Sequence, residues 1–154
     1  MAIPILTSVK LESSHEGQFN GAAPDQKFIG ASGEITLTFT SDQDTGQGNT
    51  NIPQVELRDS AGTVLTPSQG VQWWSYGGSV VGKDWETKYI IGGSENEGLV
   101  TFTIDFENSA GESGVQVTST SDNSTVEIDL TPPVITNLVV ETNNSKDNAL
   151  ASWD

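Results

Sequence analysis

Short runs of alternating apolar and polar residues, with no stretch of helical periodicity, constrain this chain more than any other feature. Glu34-Ile35-Thr36-Leu37-Thr38-Phe39-Thr40 puts Ile35, Leu37 and Phe39 on one face, the pattern of a strand with one side buried. Leu99 to Phe106 repeats it with Val100, Phe102, Ile104 and Phe106. Leu6–Glu12, Gln54–Arg58, Trp85–Ile91, Gly114–Ser119 and Thr125–Leu130 read as further strands, rich in the Thr, Val, Ile and aromatic residues that a pleated surface favours. Turn clusters separate them: Asp42–Gly46, Asp59–Gly62, Gly77-Gly78, Gly92-Gly93 and Ser121–Ser124. The pattern predicts an all-β chain folded as an antiparallel β-sandwich of seven to nine strands over residues 3–130. Its expected core is Val9, Leu11, Ile35, Leu37, Phe39, Val55, Leu57, Tyr89, Val100, Phe102, Ile104, Phe106, Val115, Val117, Val126 and Ile128.

Composition removes several function classes. The 154 residues suffice for one sizeable core. With 21 acidic and 6 basic residues the net charge is −15, which leaves no basic footprint for nucleic acid. There is no Cys, hence no disulfide framework, thiolate zinc site or cysteine nucleophile. No apolar run reaches the roughly 18–20 residues that cross a bilayer, so no membrane insertion is expected. Met1-Ala2-Ile3-Pro4 lacks the charged and apolar regions of a signal peptide.

The chain also repeats itself. Pro4-Ile5-Leu6-Thr7-Ser8-Val9-Lys10-Leu11-Glu12-Ser13 matches Pro133-Val134-Ile135-Thr136-Asn137-Leu138-Val139-Val140-Glu141-Thr142 at a constant offset of 129. Pro, Thr and Glu are identical, and four aliphatic positions agree in kind. Residues 1–130 therefore read as one complete unit. Residues 131–154 read as a linker, stiffened by Pro132-Pro133, and the truncated start of a second, similar repeat. The apolar strand 134–142 is expected to pack on the parent domain or on a neighbouring molecule.

Several segments together resemble bacterial immunoglobulin-like repeats. They are Ile35–Thr40, Trp85-Glu86-Thr87-Lys88-Tyr89, Glu97–Phe106, Asn108-Ser109-Ala110-Gly111-Glu112 and Val126–Pro133. Such repeats stand in tandem in large adhesins and in phage and viral structural proteins. The resemblance covers most of residues 1–130. It implies an immunoglobulin-like sandwich, an extracellular, cell-surface or virion location, and neighbouring repeats of the same chain as partners. The Asp-x-Ala-Gly-Asn step common in these repeats stands here as Asn108–Glu112, with both polar ends changed.

Three constellations are candidates for chemistry. Asp42 and Asp44 lie in a Gly-rich loop whose oxygens suit Ca²⁺. Asn108 is the position that the resemblance offers to a cation, and Asp129 sits where a cation would join one module to the next. Trp73, Trp74 and Tyr76 form an aromatic segment suited to a surface glycan or a protein ligand. Adjacent residues on a strand face opposite sides, so one of the two Trp is expected inside. Lys10 and Asp129 stand on the first and last strands, where some adhesin domains form an isopeptide, yet Lys10 lies between inward Val9 and Leu11 and should face solvent. Catalysis finds little support. His15 is the sole histidine, in a polar stretch, and no nucleophile elbow or phosphate loop occurs. The leading expectation is a non-enzymatic structural or adhesive module of a tandem-repeat fibre. The alternative is a ligand-binding module that uses the Trp73/Trp74/Tyr76 segment.

Overall fold

The structure, a computed structural model, describes residues 2–14, 26–45, 51–73, 83–132, 134–136, 138–142 and 149–152. Among these there is no helix. Ten strands make three sheets, and two more form a separate hairpin.

The first sheet is built around the cleanest alternating segment. Strand β3 (Glu34–Ser41) lies between β1 (Leu6–Ser13) and β7 (Asp84–Ile90), antiparallel to both, and β6 (Gln69–Trp73) closes the order β1-β3-β7-β6. Every second residue of β3 points inward, and Ile35, Leu37 and Phe39 are fully buried. In register with them are Val9 opposite Phe39 and Leu11 opposite Leu37 on one side, and Trp85 opposite Phe39 on the other. The Trp85 indole N–H donates to the buried Thr45 hydroxyl at 2.7 Å, so its one polar atom is satisfied.

The facing strands form two short sheets. One has the order β2-β10-β8, with β2 (Gln26–Ile29), β8 (Gly98–Leu99) and β10 (Thr125–Ile128); β10 runs parallel to β2 and antiparallel to β8. The other has the order β5-β4-β9, with β4 (Gln54–Arg58), β5 (Val64–Leu65) and β9 (Thr101–Asp105). Only Val100 separates β8 from β9, and its N–H still donates to the Val126 carbonyl. The inward residues of all three sheets merge into one cluster that includes Ile29, Leu57, Leu65, Phe102, Ile104, Val126 and Ile128.

Four expectations need correction. Ten strands replace the seven to nine expected. Leu99–Phe106 is not one strand, since it breaks at Val100. Gly114–Ser119 is not a strand: the chain here makes only isolated bridges, Glu107–Ser113 and Ile104–Val117, and no continuous ladder. Between those bridges Gly114 lies against the Phe106 ring, where a Cβ would come within 2.3 Å. Val115 turns outward and is 79% exposed. Lastly, Val55, Tyr89 and Val117 pack against the core but are only half-buried.

Beyond residue 130, β11 (Val139–Thr142) pairs antiparallel with β12 (Ala149–Ser152). Only the last part of the expected strand 134–142 is therefore a strand. Ile135 and Leu138, expected to find burial, are 71% and 57% exposed. Among the described residues no helix is long and apolar enough to cross a membrane.

Phe102→Ala should cost about 3–5 kcal/mol, as for other buried aromatic truncations. Val115→Ala should change stability by less than about 0.5 kcal/mol. Urea unfolding of the two variants checks the assignment, and equal losses would contradict it.

Candidate functional site

The polar chemistry of the domain gathers at the two ends of the strands. At the end where β3 stops, the loops around Asp42 and Asn108 meet. Asp42 exchanges two hydrogen bonds with Ile5, its N–H to the Ile5 carbonyl at 3.0 Å and its Oδ1 from the Ile5 N–H at 2.9 Å. The Lys83 ammonium donates to the Asp42 carbonyl at 3.0 Å. The Ser109 N–H donates to the Asp44 carbonyl at 2.9 Å, and the Asn108 amide donates to Gln43 Oε1 at 3.0 Å. The structure thus joins the loop that carries Asp42 and Asp44 to the loop that carries Asn108, through Gln43 and the Asp44 carbonyl.

Asn108 is nevertheless an organiser of the loop. It is buried, and its Oδ1 accepts the N–H groups of Ala110 and Glu112 at 3.1 and 2.9 Å. Its second amide hydrogen goes to Glu112 Oε2 at 2.9 Å. This is the turn that Asn followed by Gly favours: Gly111 takes φ +81 and its N–H returns to the Asn108 carbonyl at 2.9 Å. Both donors and the acceptor of the Asn108 side chain are thereby used. Among the described residues no three His, Cys, Asp or Glu side chains converge as a metal cage would.

Asp129 lies at the opposite end, with a set of residues that the sequence did not single out. Asp59 is buried where β4 turns into β5. Its Oδ1 accepts the N–H groups of Ala61 and Thr63, at 3.0 and 2.8 Å. Its Oδ2 accepts the backbone N–H and side-chain amide of Asn96, at 3.0 and 2.7 Å. These donors, the Asn96 N–H foremost, hold the Asp59 pKa down to about 2 against the opposing effect of burial. Beside it, Glu95 accepts the Tyr89 hydroxyl at 2.5 Å and the N–H groups of Gly92, Gly93 and Ser94. Burial alone would raise the Glu95 pKa, but Tyr89 and the loop N–H groups lower it to about 2. Burial first and Glu95 second push the Tyr89 hydroxyl up to about 12. The adjacent Glu97 reaches the exit strand: its Oε1 accepts the Leu130 N–H and the Thr131 hydroxyl, both at 2.8 Å.

No family model matches this chain, and no curated protein matches it. The site must therefore be read from its own geometry. Trp73 ends β6, its backbone in register with Trp85, while Trp74 and Tyr76 lie outside the described residues, as does His15. Lys10 faces solvent and pairs with Glu12 at 2.7 Å. On the outer face of the first sheet, Thr36, Thr38, Thr40, Asp84, Glu86 and Lys88 line a shallow polar groove. There Lys88 is held by Glu34 at 3.1 Å, the main reason its pKa is raised.

The one legible hint of the Asp59 network was Asp59-Ser60-Ala61-Gly62, noted as a turn. Gly62 does take φ +83, with its N–H on the Asp59 carbonyl. What could not be read is that the same carboxylate also binds a loop 37 residues away.

Asp59 and Glu95 have folded pKa values below their ordinary 3.8 and 4.5. Their stabilising effect is therefore complete above the ordinary values and is lost as pH falls through the folded ones. The difference in melting temperature between the wild type and Asp59→Asn should be constant from about pH 7 to pH 5 and shrink toward about pH 2. Thermal melts across that range test this, and a difference independent of pH would contradict it.

Proposed function

We propose that this chain is a non-enzymatic structural module, immunoglobulin-like in fold, from a tandem-repeat fibre protein at a cell or virion surface. The observation that carries the reading is that the chain enters and leaves at opposite ends of the strands. Ile5 is tied to Asp42, just past the last residue of β3. Leu130 is tied to Glu97, in the loop after β7, whose residue Ile90 lies opposite Glu34 at the start of β3. Eight residues of strand separate the two points, roughly 25 Å at the usual rise. A module with this geometry transmits an axis from one neighbour to the next.

The strand order supports the immunoglobulin-like assignment. The order β1-β3-β7-β6 follows the first, second, fifth and fourth positions of the immunoglobulin sandwich. On the facing layer β4, β8/β9 and β10 take the third, sixth and seventh, with β5 and β2 as additions at the edges. The segment after residue 131 supports the tandem reading. Its β11, Val139–Thr142, carries the end of the repeated motif as a strand, at the positions that match the end of β1. A net charge of −15 keeps closely spaced modules from sticking to one another.

Three copies of residues 1–133 joined end to end test the proposal by small-angle scattering. The expected result is a rod whose maximum dimension grows linearly with copy number. A compact cluster, or the expansion of a flexible coil, would contradict the spacer reading.

A further inference from the structure

We propose that Glu97 is a clamp on the intermodule linker: its carboxylate fixes the direction in which the chain leaves the sandwich. The purpose of such a clamp rests on the tandem reading above, but its geometry does not.

Residues just past a last strand ordinarily have their N–H groups in water. Here the first three, Asp129, Leu130 and Thr131, are held. The Leu130 N–H and the Thr131 hydroxyl both donate to Glu97 Oε1 at 2.8 Å. The Thr131 N–H donates to Asp129 Oδ1 at 3.1 Å. Leu130 also packs against the core, and the Asp129 N–H continues the ladder to the Ile29 carbonyl. Hydrogen bonds to a carboxylate are among the stronger ones.

The clamp is itself held from behind. The Ser60 hydroxyl donates to the Glu97 carbonyl at 2.5 Å. The preceding residue, Asn96, is bound twice by the Asp59 carboxylate. The following residue, Gly98, sits at φ +123, and a Cβ there would come within 2.8 Å of Ser60 Cβ. Only glycine fits this close passage. A continuous path of hydrogen bonds thus runs from the buried Asp59 through the 95–98 loop to the exit.

The next residue makes the direction persist. Pro132 has a fixed φ and restricts Thr131 to extended conformations. An orientation set at Leu130 and Thr131 is therefore passed along the chain instead of being averaged out as in a flexible linker.

The test is the backbone order of residues 130 and 131, measured by ¹⁵N relaxation on the full chain. In the wild type both should match the rigid strands, with order parameters of about 0.85. In Glu97→Ala, with β3 resonances unmoved, both should fall below about 0.6. Glu97→Gln keeps an acceptor oxygen and should retain intermediate order. Thr131→Val removes one donor and should loosen residue 131 in a fully folded domain. A wild-type exit that is already mobile, or unchanged order in both Glu97→Ala and Thr131→Val, overturns the proposal; if Glu97→Ala does not fold, unchanged order in Thr131→Val overturns it alone. A loose exit in a tandem that is still a rod refutes the clamp alone. An ordered exit in a coiled tandem refutes the spacer reading alone.

Discussion

The structure depends on the burial of one face of β3 between two neighbouring strands and a facing layer. Ile35, Leu37 and Phe39 are each no more than 2% exposed. Their cross-strand partners Val9, Leu11 and Trp85 are buried with them. Full burial of each such side chain is worth about 1.5–3 kcal/mol. A slip of one residue in β3 would turn all three outward and replace them with Thr36, Thr38 and Thr40. The register of the first sheet is therefore fixed by apolar area, and the positions of both chain ends follow from it.

Loops in this protein are fastened by polar side chains, without disulfides. Asp59, Glu95 and Asn108 each gather several N–H donors from their own or a distant loop. The outer edge of β1 is treated in the same way. Ser121 and Ser124 accept the Val9 and Leu11 N–H groups at 3.0 Å, and the Ser121 N–H donates to the Val9 carbonyl. An open edge strand invites pairing with another chain, and a serine-bearing loop here occupies it. In the proposed tandem this guard would complement the repulsion of a net charge of −15.

Alternation made most of the fold legible. Gln54–Arg58 is a strand with the bounds expected of it, and Glu34–Thr40 extends by a single residue. Alternation failed where backbone geometry overrode it. Gly114–Ser119 alternates too, but Gly114 lies close against the Phe106 ring and Val115 points out of the sheet. Strand β6 went unseen because Gly70 and an irregular register between Gln69 and Gln72 hide its period. Strand β2 is only four residues long. The ends were half legible. Asp42, Asp44 and Asn108 lie in loops that do meet, but the Asn108 side chain is taken up by its own loop and by Gln43. Asp59 and Glu97 could not be found because they act on partners 33 to 37 residues away. No local pattern encodes such pairings.

In the proposed module, residues 1–130 are one complete unit and the β11–β12 hairpin is no part of its core. Deleting residues 134–154 and comparing thermal melts with the full chain tests this most directly. The account predicts a folded monomer whose melting temperature lies within about 2 °C of the parent, since for a domain of this size even 1 kcal/mol moves it by several degrees. A shortened chain that fails to fold would contradict the account and make the hairpin part of the first sandwich.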